Sequence, residues 1–292
     1  YTFSATYSDN TTNYELEPNN SKDTAQSLIS GTGVVGGISL ASDQDWYSIS
    51  VDSASSLSVS FETEDNNYSY SFDFEILDNL GNVLASDSCS SQCDTAANLL
   101  TAGLSTAGTY YIRVLSSSSY GAPSGSYGVT LTVSGATGGV EIEPNDETAQ
   151  VVTSGESIVG SLSSADDLDW YAIEVGASGA LGVSFETEEN NYSYSFDLFI
   201  VNSEGDTLAS DSCSSQCDTT ANLVTAGLSS SGIYYVLVRS SSSSGAPSGS
   251  YTFSATYSDN TTNYELEPNN SKDTAQSLIS GTGVVGWYLF GQ

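Results

Sequence analysis

Histidine and methionine are missing from the 292 residues, and positive charge nearly so: Lys22, Arg113, Arg239 and Lys272 stand against 36 Asp and Glu, a formal net charge of -32. Without histidine there is no Ser-His-Asp or Cys-His arrangement, and zinc lacks imidazole. The negative charge repels polyanions, so nucleic acid and anionic membrane surfaces are not expected partners. No run of about 18 apolar residues exists to span a bilayer. The sequence opens on Tyr1 with neither an initiator Met nor a signal-peptide pattern, and so reads as a mature or internal segment. No glycine-rich phosphate loop precedes a helix, and Lys22 has no Ser-x-x-Lys partner. A pair of carboxylates in the manner of a glycosidase is the catalytic chemistry left. On so acidic a surface such pairs arise by accident, and the chain is not expected to be an enzyme.

What is present is repetition. "NYELEPNNSKDTAQSL" at 13–28 returns unchanged at 263–278, and residues 1–36 equal residues 251–286. An edited version, "VEIEPNDETAQVV", lies at 140–152. "FETEDNNYSYSFDFEI" at 61–76 and "GAPSGSY" at 121–127 both recur 124 residues later. The unit is therefore a domain of that size. The chain divides into a stretch at 1–12 matching the end of a repeat, full copies at 13–136 and 139–262, and the start of a third at 263–292. "SGATGG" and "SDNTTN" are short joints between copies.

Within each copy apolar residues alternate with a period of two, as in Tyr47, Ile49, Val51, then Leu57, Val59, Phe61, then Phe72, Phe74, Ile76. "TYYIRVL" and "YGVTLTV" continue the pattern, and no segment carries a helical stripe. These features predict an all-β protein of tandem antiparallel β-sandwich, jelly-roll-like domains. Two identical "CSSQC" loops pair Cys89 with Cys93 and Cys213 with Cys217 as expected structural disulfides, with inter-chain bridges as the alternative. Disulfides and Ser-, Thr- and Asn-rich loops point outside the cell.

Glu17-Pro18-Asn19, Asp45-Trp46-Tyr47, the hairpin "FDFEILDNLGNVLA" and "GTYYIRV" together resemble the bacterial pre-peptidase C-terminal domain family, and more distantly the collagen-binding domains of secreted bacterial collagenases. The resemblance spans each full copy and implies an extracellular accessory sandwich, usually appended to a secreted enzyme. The chain contains no peptidase domain, which weakens a role as a protease appendage.

Calcium takes six to eight oxygen ligands, and Glu15, Glu17 and Asn19 at alternate positions of an extended segment offer three on one side. Solvated surface charge is the ordinary alternative. Several members of the family that the chain resembles bind calcium through this motif, and the resemblance implies that the turn before the "DWY" strand completes the site with Asp43 and Asp45. The second copy offers Glu141, Glu143 and Asn145, with Asp146 beside them, and by the same resemblance Asp167 and Asp169. The third copy, Glu265 to Asn269, has no downstream partner in the chain.

Asn10, Asn67, Asn191 and Asn260 satisfy the glycosylation rule in polar loops or joints, so covalent glycans are candidates. Tyr68, Tyr70, Tyr192 and Tyr194 could stack on sugar rings or pack across strands. Tyr1, Phe3, Ala5 and Tyr7 form an orphan final strand that a neighbouring subunit would have to pair. The expectation is an extracellular fibre or surface-appendage protein, self-assembling linearly from calcium-stabilised sandwiches. The alternative is a carbohydrate- or collagen-binding accessory module of a secreted enzyme or adhesin.

Overall fold

The computed structural model describes residues 14–63, 71–89, 98–118, 121–123, 125–135, 138–187, 196–213, 222–243, 247, 249–259, 264–269, 271–281 and 283–286. The proposed assembly strand (Tyr1, Phe3, Ala5, Tyr7), the sequons at Asn10, Asn67, Asn191 and Asn260, the tyrosines Tyr68, Tyr70, Tyr192 and Tyr194, and the cysteines Cys93 and Cys217 lie outside the described residues.

The chain separates into two compact units, Tyr1–Thr137 and Gly138–Gln292. The first contains β1 (Gln26–Ser27), β2 (Gly33–Gly36), β3 (Gln44–Val51), β4 (Ser55–Thr63), β5 (Phe72–Leu77), β6 (Val83–Cys89), β7 (Asn98–Leu104), β8 (Gly108–Ser116) and β9 (Tyr127–Ser134). They form two sheets, ordered β1-β3-β8-β5-β6 and β2-β9-β4-β7. All pairings are antiparallel except β1 with β3. A single 3-10 turn, Lys22–Thr24, precedes β1.

The second unit repeats the plan in β10 (Gln150–Val151), β11 (Ser157–Gly160), β12 (Leu168–Val175), β13 (Gly179–Thr187), β14 (Phe196–Val201), β15 (Thr207–Cys213), β16 (Asn222–Leu228), β17 (Gly232–Ser240) and β18 (Tyr251–Ser258). Its sheets run β10-β12-β17-β14-β15 and β11-β18-β13-β16-β19. The extra strand β19, Leu266–Glu267, belongs to the third copy and lies parallel to β16, Gly227 opposite Leu266.

The alternation read from sequence is the alternation of burial. Along β5 the pattern is buried, half-buried, buried, and Phe72, Phe74 and Ile76 face inward while Asp73 and Glu75 face out. Phe61 stacks on Phe74 at 4.6 Å between centroids and on Tyr127 at 5.4 Å, so rings from three strands fill the space between the sheets. Phe72 joins them, and Phe185, Phe196 and Tyr251 match Phe61, Phe72 and Tyr127 in the second unit, with Leu198 in the place of Phe74. The β5–β6 hairpin closes because Asp78 Oδ1 accepts the backbone N–H groups of Leu80, Gly81 and Asn82, with Gly81 at φ 95°. Cys89 and Cys213, both buried, are not free thiols.

Candidate metal centre

Residues 14–19 cross the end of the first sandwich where β3 and β9 begin. Two devices hold them there. Tyr14 bridges Val35 of β2, and Glu15 donates its N–H to the Val35 carbonyl at 2.9 Å. From β1, the Gln26 amide accepts from the Leu16 N–H and donates to the Tyr14 carbonyl, imitating a strand partner. Gln150 does the same to Ile142 and Val140, and Gln276 to Leu266 and Tyr264. The "TAQ" common to all three copies is thus the clamp on the acidic segment.

With the backbone fixed, the side chains converge. Asn19 donates its N–H to Glu17 at 3.0 Å and its amide Nδ2 to Glu15 Oε1 at 2.9 Å, which leaves Asn19 Oδ1 facing inward. Glu15 Oε2 accepts the Gly37 N–H. Behind them Tyr47 donates to Glu15 Oε1, and the Tyr127 hydroxyl, 2.7 Å from that of Tyr47, lies 2.6 Å from Asp45 Oδ2. Oxygens of Glu15, Glu17 and Asp45 lie within 4.8 Å of one another. Asp43 is separate: Ser39 occupies its Oδ2 through N–H and hydroxyl, and the Gln44 N–H and the Asn20 amide donate to its Oδ1.

The second unit reproduces this arrangement and adds to it. Asn145 Nδ2 donates to Glu141 Oε1 at 2.9 Å, Ser161 N–H to Glu141 Oε2, and Tyr171 to Glu141 Oε1. Tyr171 is bonded to Tyr251, whose hydroxyl also lies within hydrogen-bond distance of Asp169 Oδ2. Glu141, Glu143 and Asp169 form the matching cluster, and Glu143, Asp146 and Asp167 form a further one. Ten of the eleven predicted positions gather at the two sites and Asp43 does not; its counterpart Asp167 also serves a turn, accepting the Ser163 N–H at Oδ2 and the Leu168 N–H at Oδ1, but lies among the oxygens of Glu143 and Asp146 as well.

The oxygens left over distinguish these sites from ordinary acidic surface. Asn19 Oδ1 and Asp45 Oδ1, on residues with 0% exposure, accept no hydrogen bond. Asn145 Oδ1, Asp169 Oδ1 and Glu143 Oε1 are in the same condition. Burying such acceptors without partners costs about 1–3 kcal/mol each. No basic residue compensates: among the described residues the ion pairs are Arg113 with Glu75 and Arg239 with Asp197, both on the sheet faces. Burial pushes the Asp45 carboxyl up to about 8, the Tyr127 bond opposing and the Glu15 charge reinforcing. Glu143 is pushed to about 9 by burial and by the charges of Glu141, Asp167 and Asp146. Burial also raises Glu141, Asp167 and Asp169. An all-oxygen donor set of buried carboxylates and one amide oxygen, with no thiol or imidazole, fits a hard divalent cation.

Sequence reasoning missed the supporting groups. Tyr47 reads as one more alternating core residue, and nothing in the pattern reveals that its hydroxyl bonds to Tyr127 and Glu15. Glycine at positions 36 and 160 is also part of the site. A Cβ on Gly36 would lie 2.5 Å from the Tyr127 hydroxyl, and one on Gly160 2.6 Å from that of Tyr251.

Residues 43–116, in the first unit, match the model of the bacterial pre-peptidase C-terminal domain, and the second unit repeats that stretch at a spacing of 124. Among solved structures, the chain is similar to the pre-peptidase C-terminal domain of a collagenase from Bacillus anthracis, at 18% identity over 37% of this chain and 94% of that one, with TM-score 0.28. It is similar also to tandem CBM51 modules of a family 98 glycoside hydrolase from Streptococcus pneumoniae, at 11% identity over 80% of this chain and 85% of that one, with TM-score 0.29. No curated protein matches it in sequence.

Proposed function

We propose that this chain is a pair of non-catalytic accessory domains of an extracellular protein, braced by calcium and used for binding. The observation that carries the calcium is the recurrence, at equivalent positions of both units, of buried carboxylate and amide oxygens without hydrogen-bond donors. Glu15, Glu17, Asn19 and Asp45 would hold one ion, and Glu141, Glu143, Asn145 and Asp169 another, with Asp146 and Asp167 beside the second. The ion would supply positive charge where the chain supplies none, so its role is to stabilise the fold.

The accessory role is supported by the match of residues 43–116 to the pre-peptidase C-terminal domain and by a sequence that lacks histidine. It favours the binding-module alternative, with carbohydrate and collagen as ligand classes, over the linear fibre. The fibre expectation rested on repetition and on the orphan strand at Tyr1 to Tyr7, which lies outside the described residues; in the third copy, Leu266–Glu267 pairs with β16 of its own chain.

The test is a sedimentation and pull-down series on the full chain with calcium present and absent. A monomer that is retained on insoluble polysaccharide or fibrillar collagen, and that loses both retention and thermal stability with a calcium chelator, supports the reading. Calcium-independent melting refutes the brace; long filaments without ligand retention return the fibre to first place.

A further inference from the structure

Both units carry an aromatic pair at the same place on the outer face of one sheet. Trp46 meets Tyr111 edge to face at 6.3 Å between centroids, and Trp170 meets Tyr235 at 6.2 Å. In the first unit the chain covers this pair with its own cations. Lys22, half-buried, places Nζ 5.3 Å from the Tyr111 ring centre and donates to the Asn79 carbonyl. Arg113 lies 5.4 Å from the Trp46 ring centre. Cations over aromatic faces are held by the ring quadrupole.

The second unit keeps the rings and drops both cations. Where the first unit has Asn20-Ser21-Lys22-Asp23 between the acidic motif and Thr24, the second has only Asp146-Glu147 before Thr148. Leu237 takes the place of Arg113. The shortened loop opens a groove of about 590 Å³ lined by Asp146, Glu147, Trp170, Asn202, Ile233 and Tyr235. Ser203, the counterpart of the Asn79 that receives Lys22, also lines it. The groove therefore retains the ring face, gains the Asp146 carboxylate where the first unit has Asn20, keeps an acid in Glu147 where it has Asp23, and has lost its internal occupant. Ile233, 47% exposed, forms part of its wall, suited to an aliphatic stem beneath a charged head.

We infer that the groove over Trp170 and Tyr235 binds a lysine side chain of a partner polypeptide, placed as Lys22 is placed over Tyr111 in the first unit. This rests on the binding-module reading and deepens it, since a lysine-bearing polypeptide excludes a neutral polysaccharide as the ligand of this groove. The occupant is identified by the first unit: a primary ammonium on a flexible stem, over the tyrosine ring, donating to the carbonyl of the β14–β15 turn.

The probe is a capped Gly-Lys-Gly-Lys-Gly peptide added to the full chain in calcium at physiological ionic strength, followed through the indole N–H signals of the tryptophans, with Trp170→Phe for assignment. The expected result is a saturable shift of the Trp170 signal and none at Trp46, whose face is already occupied. Acetylating the peptide lysines abolishes the shift. Glu147→Gln weakens binding roughly threefold, the size of one partly exposed ion pair. Replacing Glu147 by Ser-Lys-Asp, to copy the first unit, removes binding, as does Ile233→Lys, which supplies an ammonium from an exposed position. Equal shifts at Trp46 and Trp170, or persistence of the shift in both blocked variants with melting temperature unchanged, would overturn the inference. So would self-association lost on Lys272→Gln, which would assign the groove to a second copy of the chain. Retention on polysaccharide or collagen with no lysine-dependent shift would reject the groove and leave the binding module standing.

Discussion

In the first unit the residue after Asn19 is Asn20, and its amide donates to Asp43 and to the Gln44 carbonyl. In the second unit that position is Asp146, which accepts the Leu168 N–H at 3.1 Å and lies among the oxygens of Glu143 and Asp167. One atom exchanged for another, nitrogen for oxygen, turns a neutral tie into a fifth carboxylate. Burial differs too: Glu17 is exposed, whereas its counterpart Glu143 is 8% exposed. The first centre is open and partly self-neutralised, the second closed and strongly charged. Two sites of common design thus differ in how badly they need a cation.

The largest test of that difference is removal of calcium. Binding to the folded state alone contributes about 2.7 kcal/mol at a hundredfold excess over Kd. For domains of this size that is a fall of about 10 °C in Tm on chelation. Calorimetry should resolve two transitions, with the larger fall in the one assigned to the second unit by Asp169→Ala. Equal shifts would erase the distinction between the centres.

Acidity should act on the calcium-free protein in the opposite sense, stabilising it as calcium would. Unfolded carboxylates titrate near 4, while burial holds the proton of Asp45 to about 8 and that of Glu143 to about 9. Between those limits the folded chain binds more protons than the unfolded one, so stability falls as pH rises from about 4 to about 9, by up to about 1.4 kcal/mol per pH unit for each extra proton held. Urea titrations at pH 5 and pH 8 should show the loss in both units and more of it in the second, and saturating calcium at pH 8 should restore it. Stability rising over that range without calcium would contradict the buried, uncompensated carboxylates.

Substitution at the supporting glycines probes what the two units share. Gly36→Ala and Gly160→Ala each push a methyl against a tyrosine hydroxyl, at an expected cost of about 1–3 kcal/mol. The losses should be alike, because the tyrosine pairs are alike. A large effect at one position alone would mean that the hydroxyl networks are not equivalent. The smallest change is the most direct: Asn20→Asp gives the first centre the composition of the second. It should lower calcium-free stability by about 1 kcal/mol and raise calcium affinity severalfold, as isothermal titration would measure. No change in affinity would locate the difference in burial instead.

Much of this was legible in the sequence because the period-two rule is local. Phe72, Phe74 and Ile76 announce an inward row without knowledge of the partner strand, and the copies at a spacing of 124 announce their own length. The acidic residues were legible for a similar reason: Glu15, Glu17 and Asn19 are neighbours in the chain. Long-range closure was not. That Tyr127, 112 residues from Glu15, shares its carboxylate, or that Gln26 stands in for a strand, depends on contacts that only the folded sheets bring about. Nor could spacing separate Asp43 from Asp45, since what divides them is the Ser39 turn that consumes one and the Tyr127 hydroxyl that leaves one oxygen of the other unclaimed.

The pairing of β19 with β16 bears on where a domain ends. By repeat length the second copy stops at 262, yet the ladder that completes its sheet is made by Leu266 and Glu267. The carbonyl of Glu265 lies so close to Gly227 that a methyl there would fall 2.0 Å from it. A fragment cut at the repeat boundary would expose β16 as an unpaired rim, open to register slips and to association with other strands. One extended through residue 269 would keep that rim covered. The structural border of the second sandwich is therefore displaced from the border of its repeat, and the opening residues of the third copy close it.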